Sequence, residues 1–289
     1  MSNSSSTFDN LDLSSDFMFK HVMRRKHICK YFLELLLHIK IADISYIETE
    51  QTLDPYYDSR GIRLDIKVVD EHNTHYNLEM QVNNPINKLT NESLLPKRTR
   101  YYQAMLDVDM LQKGQDFDEL PPSFIIFVCP FDCFNAGQRI YTFKKRCLED
   151  PSIELPDEAT VIFLNTTGTK GTVPKELQSL YDYINTKLAT SDFTRNIADT
   201  IVEIKNDKKV RQDFMTYEMR MKDIFAEGRA EGKAEGESIG EARGEAKAKF
   251  ATAKRLLAMK LSIQDIAKAT TLPVVKIQEL QAEMLHTTV

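Results

Sequence analysis

Residues 62–82 read IRLDIKVVDEHNTHYNLEMQV, and this stretch decides the fold. Apolar and polar residues alternate from Ile62 to Val69 and again from Tyr76 to Val82, as in two half-buried β-strands. The polar residues 70–74 between these runs are typical of a turn. The pattern therefore predicts a β-hairpin.

One face of this hairpin carries two carboxylates. Successive strand side chains point to opposite faces, so Asp65 shares a face with Lys67, and Glu79 shares one with Gln81. A turn symmetric about His72 places Asp65 opposite Glu79, with Cβ atoms about 4.5–5.5 Å apart. We expect the apolar residues of the hairpin on the other face: Leu64, Ile66, Leu78 and Met80.

Two opposed carboxylates repel each other unless a positive charge neutralises them. Mg²⁺ or Mn²⁺ would do so, since hard cations bind carboxylate oxygens and lower the pKa of bound water. Gln81 would then orient that water or a phosphate oxygen. The alternative is a solvated acid pair neutralised by Lys67 or Arg63, and alternation alone leaves both interpretations open.

The surrounding sequence predicts an α/β domain. Residues 16–38 and 93–113 have helical spacing, and Gly114 is a natural residue to follow the second helix. Continuous apolar runs at 124–129 and 161–164 are typical of buried central strands, and residues 175–188 form a further predicted helix.

Motifs in this order resemble those of the recombination-promoting nucleases of the Rpn group, also labelled PD-(D/E)XK nuclease family transposases. The resemblance spans about residues 8–190 and implies Mg²⁺-dependent DNA cleavage in the bacterial cytoplasm. It implies a restriction-endonuclease-like core, with a mixed central sheet flanked by helices. The matching residues are Asp16-Phe17-Met18-Phe19-Lys20, Arg63-Leu64-Asp65-Ile66, Asn77-Leu78-Glu79-Met80-Gln81, Arg98, Arg100-Tyr101-Tyr102 and Gly114.

The resemblance makes Asp65, Glu79 and Gln81 the candidate catalytic residues, with Asp65 and Glu79 as metal ligands. The wider superfamily usually has a positively charged lysine where this chain has the neutral Gln81. The P of PD-(D/E)XK stands for a proline before the first acid, and here Leu64 occupies that position. With glutamine at position 81, either the cleavage rate would be lower or another cation would take the place of the lysine. The candidates are Lys67, Lys97, Arg98 and Arg100.

The predicted helix 93–113 presents Arg98 on the same face as Tyr101 and Tyr102. This face would contact DNA phosphates, or it would pack its long stems against apolar residues. The phosphate-binding candidates are Lys67, Lys97, Arg98, Arg100 and Tyr102. Asp16, at a predicted helix start, is a helix N-cap or a supporting residue of the metal site.

Composition limits which surfaces, membrane segments and cellular locations the chain is expected to have. The net charge of −5 predicts that any DNA-binding surface is local. We expect no membrane span and a cytosolic protein, because no apolar run approaches about 20 residues and the N-terminus lacks the features of a signal peptide. Of the four cysteines, Cys129 and Cys133 are four residues apart, but no His or Cys pair nearby completes a zinc site, so all four are predicted to be reduced thiols.

The remaining segments are predicted from changes in composition. Residues 1–10 are expected to be disordered, 11–190 to form the nuclease-like domain and 191–225 to be helical. Glycines recur every four residues within 226–248, as expected of a flexible connector or of a self-association helix. Residues 249–289 resemble a helix-turn-helix, but their few basic residues favour an oligomerisation or interaction module over a DNA reader.

Two functional hypotheses follow. The first is a Mg²⁺-dependent DNA endonuclease that acts in recombination, in a mobile element or in defence, and that forms homo-oligomers through its C-terminal helices. The second is a weak or inactive nuclease fold that serves as an oligomeric interaction or DNA-binding protein. The neutral side chain of Gln81 and the acidic net charge favour the second hypothesis.

Overall fold

The computed structural model describes residues 8–53 and 62–286. The helices are α1 (Asp16–Met23), α2 (Lys26–Leu37), α3 (Leu95–Met110), α4 (Lys175–Thr186), α5 (Asp192–Asn206), α6 (Lys208–Ala258), α7 (Ile263–Thr270) and α8 (Val274–His286). The strands are β1 (Ile44–Leu53), β2 (Ile62–Asp70), β3 (His75–Met80), β4 (Ser123–Cys129), β5 (Ile140–Phe143) and β6 (Ala159–Asn165).

The six strands form one mixed sheet in the order β1-β2-β3-β4-β6-β5. The first three strands are antiparallel neighbours, β3, β4 and β6 are parallel, and β5 runs antiparallel to β6. The continuous apolar sequences of β4 and β6 suit central parallel strands covered on both faces. A mixed sheet flanked by helices is the restriction-endonuclease-like fold that the sequence predicts.

Each face of the sheet has its own apolar core. The larger core packs α1, α2, α4 and α5 against one face, with Ile66 and Leu78 contributed by the hairpin. The smaller core packs α3 against the other face, around Ile125 and Phe127. The hairpin is therefore covered on both sides, and polar groups on its α3 side are enclosed.

The prediction that Leu64 shares a core with Ile66 is wrong. Ile66, Leu78 and Met80 belong to the larger core, but Leu64 packs into the α3 core. The described pairing of β2 with β3 ends at Ile66, whereas its pairing with β1 continues to Ile62. Leu64 therefore lies beyond the described β2–β3 pairing, where alternation along the hairpin alone does not fix which core a side chain joins.

The predicted end of the helix 93–113 also needs correction. Helix α3 ends at Met110, because Leu111 is extended, and Gly114 adopts its positive φ of 95° in the following turn. A turn requires positive φ as readily as a helix end does, so the glycine alone did not fix the boundary. The predicted disorder of residues 1–10 lies largely outside the described residues, but Phe8 is buried against Phe17 and Phe214.

The chain divides into two compact units, Met1–Met215 and Thr216–Val289. Helix α6 runs without interruption through the glycine-periodic tract, which is thus helical and largely exposed. The second unit has a small core of Ala253, Ile266, Ile277 and Leu280. Within the described residues, no helix combines the length and apolar character of a membrane span. The cytoplasmic location stays a prediction.

Candidate active site

The hairpin has the predicted register. Ile66 lies opposite Leu78 and Val68 opposite Tyr76, which is the symmetric arrangement about His72. The carboxylate of Asp70 maintains the turn by accepting the backbone N–H groups of His72 and Thr74, each at 2.9 Å. One residue beyond the Ile66–Leu78 pair, the Asp65 N–H donates to Oε1 of Glu79 at 3.1 Å. The register therefore brings the two acids together.

Glu79 is enclosed between the sheet and α3. Glu79 is 1% exposed, and its Oε1 also accepts a hydrogen bond from Nδ2 of Asn77 at 3.2 Å. Its Oε2 accepts a hydrogen bond from Nη2 of Arg98 at 3.1 Å. Burial raises the pKa of Glu79, and the charge of Arg98 offsets only part of that effect. This carboxylate is held by donors from three segments of the chain.

Asp65 is less enclosed, with a side chain 15% exposed. Nζ of Lys20 lies 3.0 Å from its Oδ1. Burial, followed by the charges of Glu79 and Asp16, holds the pKa of Asp65 well above its usual range, against the opposing charge of Lys20. A further positive charge beside Asp65 would therefore be stabilised.

Helix α1 positions Lys20. Ser15 caps this helix by accepting the Met18 N–H, so the prediction of Asp16 as the N-cap is wrong. Asp16 is instead the first helical residue, and its Oδ2 accepts a hydrogen bond from Nζ of Lys20 at 2.8 Å. Burial favours the neutral amine of Lys20, but the charges of Asp65 and Asp16 outweigh it and raise the Lys20 pKa.

Sequence reasoning missed Lys20. The available signal was a lysine four residues after Asp16 within an otherwise apolar helix, a spacing that forms an ion pair on one helix face. The contact with Asp65 is tertiary, and no spacing in the sequence indicates it. Asn77, which donates to Glu79, lies like Lys20 within a motif that resembles the family, but neither residue was predicted to have a role in the site.

Arg98 connects Glu79 with Gln81. Its Nη1 donates to Oε1 of Gln81 at 2.8 Å, and its Nε donates to the hydroxyl of Tyr102 at 2.8 Å. Nε2 of Gln81 donates to the backbone oxygen of Asn83 at 2.8 Å. Burial, with the charge of Glu79, raises the pKa of Tyr102 to about 12, so this tyrosine stays protonated at neutral pH. The predicted shared face of Arg98 and Tyr102 is confirmed.

The other candidate cations lie in different surroundings. Lys67 is buried and forms an ion pair with Oδ2 of Asp109 at 2.6 Å. Lys97 and Arg100 are exposed on α3, and neither forms an ion pair with any residue that the structure describes. Of the basic candidates on α3 and β2, Arg98 is therefore the one whose described contacts include Glu79.

The donor chemistry of the site fits a small divalent cation. Asp65 and Glu79 supply hard carboxylate oxygens, and Mg²⁺ commonly uses one or two protein carboxylates and keeps several waters. Oδ1 of Asp16 is buried without a hydrogen-bond partner among residues 8–53 and 62–286. Within the same ranges, no group of three or more His, Cys, Asp or Glu side chains is close enough to form a complete metal cage.

The chain matches a known protein family. A family model described as PD-(D/E)XK nuclease family transposase matches residues 13–224. The matched region includes Asp16, Lys20, Asp65, Glu79 and Arg98. Comparison with curated proteins and with solved structures gave no match. The match covers well over half of the chain.

Proposed function

Because the chain belongs to the PD-(D/E)XK nuclease family transposases, we propose that it is a Mg²⁺-dependent DNA endonuclease with its site at Asp65 and Glu79. Membership makes this a nuclease-like protein, and nucleases of this kind generally use divalent metals on DNA. One observation carries the assignment. Asp65 and Glu79 converge through the 3.1 Å contact of the Asp65 N–H with the Glu79 carboxylate, and both have raised pKa values.

Each residue of the site has a different proposed role. Asp65 and Glu79 would hold Mg²⁺ or Mn²⁺, with Asp16 as a supporting residue. The bound cation would lower the pKa of a water molecule and polarise a phosphoryl oxygen. Gln81 orients the water or a phosphate oxygen, and Arg98 fixes Gln81 and Glu79 relative to each other.

DNA is held through its phosphates. The exposed Lys97 and Arg100 and the 36% exposed side chain of Arg98 lie on one helix that also lines the site. Backbone contacts of this kind position the duplex without reading its sequence. Tyr102 contributes by holding Arg98, and Lys67 remains a weaker candidate because Asp109 neutralises it.

Plasmid nicking tests the proposal. Asp65→Ala should abolish Mg²⁺-dependent nicking of supercoiled DNA, because the candidate metal site loses a carboxylate. The matched control is Asp118→Ala, which removes an exposed aspartate of the 3₁₀ turn Phe117–Glu119 and should leave nicking unchanged. Circular dichroism checks that both variants are folded. Equal nicking by Asp65→Ala and the wild-type protein contradicts the proposal.

A second candidate function is a non-catalytic interaction protein built on the same fold. It is favoured by Gln81, which is neutral and holds both ends of its amide in contacts with Arg98 and Asn83. Isothermal titration with Mn²⁺ distinguishes the two candidates. Binding that disappears in Asp65→Ala supports the nuclease, whereas no binding at millimolar Mn²⁺ favours the interaction protein.

Homo-oligomer formation through the C-terminal helices is a further part of the proposal. A Cβ atom at Gly232 or Gly236 would meet nothing within 4 Å, so these positions have room for a closely packed helix. The double variant Gly232→Leu/Gly236→Leu should then lower the mass measured by light scattering. DNA reading by α8 is disfavoured, since Lys276 is paired with Glu279 at 2.6 Å.

A further inference from the structure

The third motif position of this site carries no positive charge. Gln81 is neutral, and its amide is held by Arg98 and by the backbone of Asn83. Phosphodiester hydrolysis nevertheless concentrates negative charge on the phosphoryl and leaving oxygens, and fixed cations that stabilise this charge supply a large part of catalysis. A side-chain charge that adds to that of a bound metal therefore has to come from another position of the site.

Lys20 differs from the other basic residues in its distance to the acids. Its Nζ lies 3.0 Å from Oδ1 of Asp65, whereas Lys67 is paired with Asp109 of α3. The guanidinium of Arg98 is already shared among Glu79, Gln81 and Tyr102. Lys20 is thus a compact ammonium in direct contact with the less enclosed carboxylate of the site.

We propose that Lys20 is the catalytic cation of this site and that Asp16 is its positioning residue; the inference rests on the proposed nuclease function. In the reaction a water oxygen bonds to phosphorus while the bond to the leaving oxygen breaks. The water gives up one proton and the leaving oxygen takes one up, yielding a phosphomonoester and an alcohol. The Lys20 ammonium keeps its protons and stabilises the charge on the phosphoryl oxygens.

Helix α1 holds the ammonium in place before substrate arrives. Asp16 lies one helical turn before Lys20 and accepts its hydrogen bond at 2.8 Å. Ser15 caps the helix, and Met18 and Phe19 anchor it in the larger core. A charge fixed in this way needs no reorganisation during the reaction, which is the condition under which it contributes most.

A purely structural ion pair explains this arrangement less well. Lys20 is 5% exposed and lies between two aspartates beside the buried Glu79, so four charged groups share a small volume. Removing such groups from water is costly, and well-packed apolar residues would join α1 to β2 as stably. A catalytic role for the Lys20 ammonium explains why the fold retains a charge whose burial is unfavourable.

The test compares Lys20→Met with Lys20→Arg in the full-length protein, using plasmid cleavage in saturating Mg²⁺ and titration with Mn²⁺ alone. We expect Lys20→Met to lower kcat at least about 100-fold, with a smaller change in KM. Its Mn²⁺ affinity should be unchanged or higher, because Asp65 loses a competing cation. Lys20→Arg should restore part of kcat. The control Lys187→Met removes an ion pair with Asp12 outside the site and should cleave like wild type.

The outcomes are distinguishable. Unchanged kcat in Lys20→Met, while Asp65→Ala is inactive, overturns the role of Lys20 and leaves the nuclease function standing. A loss of Mn²⁺ affinity in step with the loss of kcat also overturns it, since Lys20 would then only shape the metal site. A wild-type protein that shows no Mg²⁺-dependent cleavage overturns the nuclease proposal and this inference with it.

Asp16→Asn provides a second variant in case Lys20→Met does not fold. It retains the lysine and removes the carboxylate that positions it. We expect kcat to fall by about tenfold, equivalent to about 1.4 kcal/mol, with little change in KM for DNA. Wild-type kcat in Asp16→Asn contradicts the positioning role.

Discussion

Asp65 and Glu79 are neighbours across β2 and β3, but the chain surrounds them differently. Glu79 is sealed beneath α3 and accepts hydrogen bonds from Asp65, Asn77 and Arg98. Asp65 faces α1, is more exposed and has Lys20 as its charged partner. The fold compensates the charge of both carboxylates only in part. Glu79 is fixed by three donors, however, whereas the pKa of the more exposed Asp65 is held well above its usual range.

The difference between the two carboxylates should affect the stability of the fold. A carboxylate with several donors supports the structure around it, and removing it strands those donors. A carboxylate with a pKa held well above its usual range costs the fold some stability when it is ionised. Substitutions at the two positions should therefore change stability in opposite directions.

Glu79→Ala should produce the largest change in stability. It leaves the Asp65 N–H, the Asn77 amide and the Arg98 guanidinium without their shared partner. Breaking a buried pair from one side typically costs about 3–5 kcal/mol, and we expect about 3 kcal/mol because Arg98 is partly exposed. Urea denaturation without metal measures the loss. A variant as stable as wild type would show that the three contacts do not support the fold.

Arg98→Met tests whether the contacts that α3 makes with the site are needed for DNA cleavage. The variant releases both Gln81 and Glu79, and a displacement of about 1 Å in a catalytic group can cost about 100-fold in rate. We expect kcat/KM for plasmid cleavage to fall by about that factor. Arg98→Lys should recover little, because an ammonium cannot reproduce the forked contacts to Glu79, Gln81 and Tyr102.

The control for Arg98→Met is Lys113→Met, which removes an exposed basic residue just after α3 and outside the site. If the two variants lose activity equally, the effect of Arg98 comes from the general charge of this surface. The contacts with Glu79 and Gln81 would then have no special role.

Gln81→Lys should have a smaller effect on activity. Lysine is the usual residue of the motif and suggests a higher rate, but we expect the rate to fall. A lysine here restores the usual residue but places an ammonium where Nη1 of Arg98 now donates to the Gln81 amide at 2.8 Å. Repulsion should displace Arg98 from Glu79 and lower kcat by about tenfold, or about 1.4 kcal/mol. Steady-state cleavage rates measure the change. A tenfold increase would show that the site lacks a cation, against the assignment of Lys20.

The Glu79 side was largely predictable from sequence, and the Asp65 side was not. Strand alternation and the short polar turn fix the register that pairs the acids, and helical spacing places Arg98 beside Tyr102. Both are local rules. The contact of Lys20 with Asp65 joins residues 45 positions apart and depends on how α1 packs against the sheet. Local periodicity carries no information on such packing, which is why Lys67, Lys97, Arg98 and Arg100 were considered and Lys20 was not.

Asp65→Asn should have the smallest effect on stability, and that effect should be favourable. Burial and the charges of Glu79 and Asp16 raise the Asp65 pKa in the folded protein. The folded state therefore binds this proton more tightly than the unfolded state does. Its contribution to stability is full below the ordinary aspartate pKa of about 3.9 and is lost as pH rises towards the folded-state pKa.

At pH 7 the metal-free wild-type protein has lost this contribution, and Asp65→Asn removes the charge responsible. We expect the variant to melt a few degrees higher than wild type at pH 7, since about 1 kcal/mol corresponds to about 2–4 °C for a domain of this size. The difference should shrink as pH falls towards 4, and thermal melts across this range measure it. Adding Mg²⁺ should raise the melting temperature of wild type but not of the variant, because only the wild-type site retains both carboxylates. A variant less stable than wild type at pH 7 would mean that Lys20 compensates Asp65 fully, and the contrast between the two acids would disappear.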